Sequence, residues 1–281
     1  MQNRKNLAAQ IQAGITANAN RYKMSYVPVF KIDVRDKPYH CGTMFSVSHM
    51  GNSFLVTAAH VLERDQKNPR DLDSQIYGFT DGRIVQIGKF LTANLTLPSR
   101  ENLDLRIMSP IGLASSDFVA EPIPASNIWC GNMLRDFYVV ACGFPKTKNR
   151  RKGRELTMRP YGYFGKIANE KLVSAEGYDP MFHFGIEIDL KRVYREGLNQ
   201  IKAVEPDGIS GGPVFVVHDF SRANVSIEPR LVGVVIARAK NSKMLICVRG
   251  EFLIHVIDVI ENDQVGTEHK RTGSGSLTDP T

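Results

Sequence analysis

Short runs of apolar and β-branched residues, separated by glycine, proline and polar residues, begin at Tyr26 and dominate the chain. Runs of this length between turn residues are typical of β-strands. In the first half of the chain they cover residues 26–32, 43–47, 54–57, 75–79, 84–87 and 105–108. Six consecutive short strands predict a closed antiparallel barrel.

A second series of strand-like runs covers residues 137–142, 156–167, 182–190, 214–217, 231–237 and 244–248. Residues 109–133, between the two series, are rich in Pro, Ser, Ala and Asn and have weak periodicity, so we interpret them as the crossing between two barrels. The pattern therefore predicts an all-β fold of two antiparallel six-stranded β-barrels, within residues 26–115 and 116–262.

The N-terminal arm has helical rather than strand periodicity. Leu7, Ile11 and Ile15 recur every four residues, which predicts an amphipathic helix over residues 5–18 within an arm of residues 1–25. The arm contains no acidic residue. An acid-free amphipathic start is a feature of organelle transit peptides, but we favour a surface helix that packs on the domain or on a partner.

Helical periodicity returns after Gly250. Five apolar residues fit one face of a C-terminal helix: Phe252, Leu253, Val256, Ile257 and Ile260. Residues 263–281 contain Gly-Ser-Gly-Ser and no core-forming pattern, which predicts a disordered tail.

The composition is that of an ordinary globular protein, with 42% apolar and 23% charged residues among 281. No apolar run reaches the length of a transmembrane helix. The net charge is +7, and six basic residues are concentrated at Lys146, Lys148, Arg150, Arg151, Lys152 and Arg154. A basic stretch can bind nucleic acid, but this one lacks interleaved aromatic residues, so we interpret it as a solvated loop.

The four cysteines, at positions 41, 130, 142 and 247, show neither metal-ligand spacing nor a Cys-x-x-Cys pattern. We therefore expect no metal site, and nothing in the sequence calls for a cofactor.

Three polar motifs stand out against the strand pattern: residues 57–60 (Thr-Ala-Ala-His), Asp104, and residues 208–213 (Gly-Ile-Ser-Gly-Gly-Pro). They follow one another in the order His, Asp, Ser, with gaps of 44 and 106 residues. A serine between glycines at the start of a strand suits acyl transfer, because its hydroxyl projects from a tight turn. The backbone N–H groups of that turn converge on a point where an oxyanion can form.

With these motifs in this order, residues 26–262 resemble the trypsin-like (chymotrypsin-fold) serine peptidases, and look closer to the disulfide-free bacterial-type members. The resemblance implies that Ser210 is the nucleophile and that His60 is its general base. It implies that Asp104 orients the imidazole, and that the N–H groups of Gly208 and Ser210 form the oxyanion hole.

Asp104 is the least family-like of these positions. The family motif is usually Asp, an aliphatic residue and a small residue, whereas Arg106 occupies the small position here. Asp71 and Asp73 are competing candidates, although both lie in a polar stretch typical of a loop.

The resemblance also implies a substrate-binding pocket beside the nucleophile, formed by Val204, Glu205, Asp207, Ile236, Ala237 and Arg238. Relatives that cleave after Lys or Arg carry an aspartate where this chain has Val204. Relatives with open pockets tend to have glycine where it has Arg238. We therefore expect a small or apolar residue before the cut, with an acidic residue paired to Arg238 as the second option.

Two departures from the family bear on location and regulation. Secreted relatives bridge a cysteine near position 41 to one just after the catalytic histidine, where this chain has Val61. Missing bridges predict a reducing, cytoplasmic location. Zymogen-derived relatives have an aspartate where this chain has Ile209, so cleavage of the N-terminus is not expected to activate it. The oxyanion hole is then either preformed or set by a partner, an oligomer contact or a ligand.

The sequence thus predicts a cytoplasmic serine endopeptidase that uses a Ser-His-Asp triad and a covalent acyl-enzyme, with protein or peptide substrates, a candidate regulatory protein partner and no cofactor. Two alternatives stay open. One is a protease-like binding module without turnover, and the other is a nucleic-acid-binding protein that uses the basic stretch.

Overall fold

The computed structural model describes residues 25–33, 35, 37–63, 76–80, 83–87, 90–93, 103–110, 121–131, 137–147, 151–152, 155–156, 158–195, 198–201, 204–219 and 230–272. The predicted N-terminal helix lies outside these residues. None of the described helices is long and apolar enough to cross a membrane.

The first half of the chain forms one mainly antiparallel sheet. Its strands are β1 (Tyr26–Ile32), β2 (Pro38–His49), β3 (Asn52–Ala58), β4 (Ile76–Thr80), β5 (Arg83–Ile87), β6 (Phe90–Ala93), β7 (Leu105–Pro110) and β8 (Ile123–Pro124). The order is β5-β4-β1-β2-β3-β7-β6, and β8 pairs in parallel with β2. A strand lies at each of the six predicted runs.

The predicted closure of a six-stranded first barrel is not confirmed by the described residues. Among the described residues, β5 and β6 are the two edges of this sheet and do not pair. The sequence missed β6, a strand of only four residues, which pairs with β7. The sheet also continues beyond the predicted boundary at residue 115, since β8 still belongs to it.

The second half contains a closed six-stranded barrel, as predicted. Its strands are β9 (Phe137–Gly143), β12 (Tyr161–Ile167), β13 (His183–Arg195), β15 (Pro213–Asp219), β16 (Arg230–Arg238) and β17 (Met244–Arg249). They pair in the order β12-β9-β15-β16-β17-β13, and β13 returns to β12 to close the ring.

Three short strands accompany this barrel: β10 (Arg151–Lys152), β11 (Glu155–Leu156) and β14 (Leu198–Ile201). β10 and β11 pair with each other, and β14 pairs with β13. The predicted run 156–167 is therefore two strands, separated at Pro160, which has no N–H to donate to a sheet.

Strand β2 lies where the two halves meet. Residues 42–47 are buried without interruption, whereas a strand with one solvated face would alternate. They pack into the core of the first sheet, and the Thr43 N–H donates a 2.8 Å hydrogen bond to the Ser210 carbonyl in the second half. Rings of Tyr26 and Phe144, one from each half, lie 5.8 Å apart between centroids. The candidate nucleophile is thereby fixed against the first sheet.

Three helices complete the described fold: α1 (Ala59–Leu62), α2 (Glu170–Ala175) and α3 (Glu251–Thr272). Helix α3 buries four of the predicted apolar positions, Leu253, Val256, Ile257 and Ile260. It continues ten residues past the predicted limit at 262, so the start of the predicted tail is helical. No proline interrupts this stretch before Pro280, and its charged and polar residues tolerate a helix.

Candidate active site

His60 and Asp104 form a side-chain pair between neighbouring elements of the first sheet. His60 lies on α1 directly after β3, and Asp104 directly precedes β7, the strand that pairs with β3. The imidazole Nδ1 lies 2.7 Å from Asp104 Oδ2, and Asp104 Oδ1 accepts a 2.9 Å hydrogen bond from the His60 main-chain N–H. Since a carboxylate only accepts, Nδ1 carries a proton, and in the neutral imidazole Nε2 is then the acceptor nitrogen.

The Asp104 backbone is held in an unusual conformation. Its φ is +51°, in the left-handed region that aspartate tolerates better than most residues. Its carbonyl accepts a 2.9 Å hydrogen bond from the Ala59 N–H, and the preceding Leu103 is buried. The sequence's competing candidates, Asp71 and Asp73, lie outside the described residues.

Ser210 and His60 line the same cavity of about 240 Å³. Residues from both halves form its wall: Cys41, His60, Lys146, Pro206, Asp207, Gly208, Ile209, Ser210, Val235, Ala237, Arg238 and Leu245. The cavity therefore brings a hydroxyl, an imidazole and backbone N–H groups around one space.

The glycine after Ser210 is required by the close approach of the two halves. Gly211 has a φ of +84°, and a Cβ there would lie 2.1 Å from the Thr43 carbonyl oxygen and 2.2 Å from Thr57 Oγ1. Such distances are far inside van der Waals contact, so only glycine lets the turn sit against β2 and β3.

The turn before the nucleophile is a type II β-turn over residues 206–209. The Ile209 N–H donates a 3.1 Å hydrogen bond to the Pro206 carbonyl, and Gly208, in the third position, has a φ of +96°. A positive φ at this position defines the type II form and favours glycine.

The Asp207–Gly208 and Ile209–Ser210 peptide groups are fixed through their carbonyls. The Asp207 carbonyl accepts a 2.6 Å hydrogen bond from the Lys146 N–H, and the Ile209 carbonyl accepts a 2.8 Å bond from the Gly212 N–H. In trans peptides the N–H points opposite to the carbonyl. The following N–H groups, those of Gly208 and Ser210, therefore point away from these donors, and neither donates to another described residue.

Thr43 is a residue of the site that sequence reasoning missed. It is fully buried, its Oγ1 donates a 3.1 Å hydrogen bond to the Gly208 carbonyl, and the same oxygen accepts a 3.1 Å bond from the Phe144 N–H. Thr57 Oγ1 donates to the Thr43 carbonyl at 2.7 Å. The two threonines thus connect the histidine motif with the nucleophile turn.

Thr43→Val should lower the free energy of unfolding by about 2 kcal/mol or more, because Val has the same shape but leaves the Gly208 carbonyl and the Phe144 N–H without their buried partner. Chemical denaturation measures this loss. Thr43→Ser is the control, since it keeps the hydroxyl and should recover most of the stability. Full stability in Thr43→Val together with a loss in Thr43→Ser would show that the methyl group, not the hydroxyl, is what matters.

His40 packs against the nucleophile turn from the first sheet. A Cβ on Gly208 would lie 2.8 Å from His40 Cε1, and the Phe30 ring lies 5.5 Å from the imidazole. Both ring nitrogens are buried without a hydrogen-bond partner among the described residues. Burial lowers the pKa of His40 to about 4, and the charge of Lys146 acts in the same direction; the Gly42 backbone offsets part of this shift.

The free energy of unfolding should fall as the pH drops from about 6.5 towards about 4. In this range the unfolded chain binds a proton at His40 and the folded chain does not. The loss attributable to this group is up to about 3 kcal/mol. Unfolding free energies of wild type and His40→Gln, measured across this range, give the test. The variant should show a shallower pH dependence, and identical slopes would contradict the assignment.

The predicted pocket residues divide into two groups. Asp207, Ala237 and Arg238 line the cavity, and Glu205 forms an ion pair with Arg238. Val204 and Ile236 are instead buried in the apolar core, 2% exposed each. On a strand, neighbouring side chains point to opposite faces, so Ile236 faces the core when Ala237 faces the cavity.

The four cysteines are free thiols. Burial raises the pKa of Cys142 to about 12 and also raises that of Cys247. Cys41 lines the cavity, and its Sγ lies 3.2 Å from the Val29 carbonyl. Cys130 is exposed.

A separate cluster has metal-ligand chemistry. An imidazole nitrogen of His49 and carboxylate oxygens of Asp258 and Glu261 lie within 4.8 Å of one another. His49 Nε2 lies 3.1 Å from Asp258 Oδ1, and Asn52 donates a 3.1 Å hydrogen bond to Glu261. None of these residues lines the cavity. They connect α3 with the β2–β3 hairpin.

Comparison with solved structures identifies the architecture. The structure of GrC is 14% identical to this chain, covers 85% of it and 94% of its own length, and superposes with a TM-score of 0.52. At this identity the comparison shows the fold alone.

Two further neighbours are bacterial proteases. The active form of the Rv3671c protease from M. tuberculosis is 15% identical over 85% of this chain and 82% of its own, with a TM-score of 0.47. The protease Anisep from Arthrobacter nicotinovorans is 16% identical over 81% of this chain and 90% of its own, with a TM-score of 0.47. No protein-family model and no curated protein matches the sequence.

Proposed function

We propose that the protein is a serine endopeptidase that hydrolyses protein or peptide bonds through Ser210, His60 and Asp104. The observation that carries the proposal is the 2.7 Å contact between His60 Nδ1 and Asp104 Oδ2, next to a cavity that Ser210 also lines. In the neutral imidazole this contact selects the tautomer with the proton on Nδ1, which leaves Nε2 as the acceptor that a general base for a serine hydroxyl needs.

In the first half of the reaction, Ser210 Oγ attacks the carbonyl carbon of the scissile bond and its proton passes to His60 Nε2. The C–N bond then breaks, and the imidazolium protonates the leaving amine. In the second half, water attacks the Ser210 ester and gives a proton to Nε2, which returns it to Ser210 when the acid product leaves. Asp104 stabilises the imidazolium in both halves.

The N–H groups of Gly208 and Ser210 form the oxyanion hole in this proposal. The hydrogen bonds from Lys146 and Gly212 that fix the opposite carbonyls support a hole that is preformed by the chain itself. Each such donor typically contributes about 2.7–4 kcal/mol of transition-state stabilisation. A regulatory partner would then act on a preformed oxyanion hole, either by covering it or by displacing Lys146.

The decisive experiment is labelling with a fluorophosphonate probe together with hydrolysis of a peptide library. Ser210→Ala should abolish both and leave the thermal midpoint nearly unchanged, whereas Ser174→Ala, an exposed serine on α2, should keep both. Wild-type turnover in Ser210→Ala would refute the assignment. Peptide binding by a wild-type protein that is never labelled would instead identify a binding module.

We place this activity in the cytoplasm. The four free thiols support a reducing compartment, because secreted relatives of this fold carry bridges that this chain lacks. The nucleic-acid alternative rests on the basic stretch, of which Lys148, Arg150 and Arg154 lie outside the described residues. Salt-dependent retention on RNA or DNA would support this nucleic-acid-binding alternative.

A further inference from the structure

An ion pair joins two walls of the catalytic cavity. Arg238, at the end of β16, lines the cavity, and its Nη1 contacts Glu205 Oε2 on the segment that leads into the nucleophile turn. The side chains are 37% and 50% exposed, and pairs this exposed add little to stability. Folding energy therefore does not explain why the pair lies beside Ser210.

Buried side chains fill the space behind this pair. Leu245 lies opposite Arg238 on β17 and is 1% exposed, and it shares an apolar cluster with Val204 and Tyr163. The Tyr163 hydroxyl donates a 3.3 Å hydrogen bond to the Glu205 carbonyl, which fixes the segment that carries the carboxylate. The cavity cannot deepen at this point without displacing core residues.

The charges around the cavity balance. Its lining carries two cationic side chains, Lys146 and Arg238, and one anionic side chain, Asp207, and Glu205 provides the second anion through its pair with Arg238. At the Arg238–Glu205 pair, an ionised substrate side chain would find each charge already compensated by the other. A carboxylate would have to displace Glu205 against like charge, and an ammonium would have to displace Arg238 in the same way.

We infer that the Arg238–Glu205 pair closes the pocket beside Ser210 to long and charged side chains, so that the enzyme cleaves after a short uncharged residue. This inference rests on the proposed peptidase function and names its substrate class. Each member of the pair neutralises the other, so removing one member should expose the charge of the other to the substrate.

Four peptides that differ only in the residue before the cut, Ala, Glu, Lys or Phe, provide the test. Wild type should have its highest kcat/KM for Ala. Glu205→Gln should raise the Glu-to-Ala ratio of kcat/KM by about 10–100-fold, because a substrate carboxylate can then pair with Arg238. Arg238→Gln should raise the Lys-to-Ala ratio similarly, through Glu205. Arg230→Gln, on the same strand but outside the cavity, is the matched control.

Unchanged ratios in both variants, or a wild-type preference for Glu, Lys or Phe, would overturn the inference. Binding of the same peptides, fluorescently tagged, to Ser210→Ala separates this result from a failure of the proposed function. Turnover with unchanged ratios rejects the pocket inference and keeps the peptidase. The predicted binding order without any wild-type turnover rejects the peptidase and keeps the pocket. The absence of both binding and turnover rejects the pocket inference and the peptidase proposal.

Discussion

Replacing Asp104 by asparagine should lower kcat by about 10⁴-fold. Asparagine has nearly the same shape, but its amide nitrogen donates where the Oδ2 of Asp104 accepts from His60 Nδ1 at 2.7 Å. The imidazole then presents Nδ1 as the acceptor and carries its proton on Nε2, where it cannot take a proton from Ser210. Steady-state kinetics on a peptide substrate measures the loss, which should fall on kcat rather than KM.

The same residue also fixes the local backbone, so structural loss must be separated from chemical loss. Asparagine keeps an oxygen that can accept from the His60 N–H, which Asp104 Oδ1 does at 2.9 Å, so the thermal midpoint should change little. Asp104→Ala removes this acceptor as well and should also lower the midpoint. Wild-type kcat in Asp104→Asn would move the role to another acid, such as Asp71 or Asp73.

Most strands and the general plan of the site were predictable because their signals are local. Strands β15, β16 and β17 are apolar runs bounded by turn residues, and Phe252 to Ile260 repeats at helical spacing. The histidine and serine motifs carry their chemistry within a few residues. The proximity of His60 and Asp104 is different, because it depends on the pairing of β3 with β7 across 44 residues.

The supporting residues could not be predicted because their contacts have no local signal. The Thr43 hydroxyl bonds the Gly208 carbonyl across 165 residues and the Phe144 N–H across 101. His40 touches the same turn from the same strand. Residues 42–47 of β2 are all buried, yet Thr43 and Ser46 among them are polar, so the sequence does not indicate what the second face of the strand meets.

The side-chain contacts in the pocket also could not be predicted from the sequence. The sequence located Glu205 and Arg238 near the nucleophile, yet it could not show that they pair with each other, since this depends on side-chain reach between two segments. For Ile236 the difference is one of strand facing, because a resemblance aligns a segment without assigning each side chain to a face. Val204 lies between strands and is buried with the apolar cluster behind the cavity.

Lys146→Pro should lower kcat by about 10²–10³-fold, the usual effect of losing one oxyanion donor. Proline has no N–H, so the Asp207 carbonyl loses its 2.6 Å hydrogen bond and the Asp207–Gly208 peptide is no longer held with its N–H facing away from Lys146. If the Asp207–Gly208 peptide group flips, the Asp207 carbonyl replaces the Gly208 N–H beside the developing negative charge. Pre-steady-state kinetics of acylation measures this step directly.

Lys146→Ala is the matched variant, because it keeps the main-chain N–H and removes only the ammonium that lines the cavity. It should lose far less kcat than Lys146→Pro and should unfold close to the wild-type temperature, since the substituted side chain is exposed. Lys146→Pro also loses a main-chain hydrogen bond and should unfold at a lower temperature. Equal losses in the two variants would assign the effect to the ammonium. Wild-type acylation in Lys146→Pro would show that the Pro206–Ile209 turn and Gly208 hold the peptide without the Lys146 N–H.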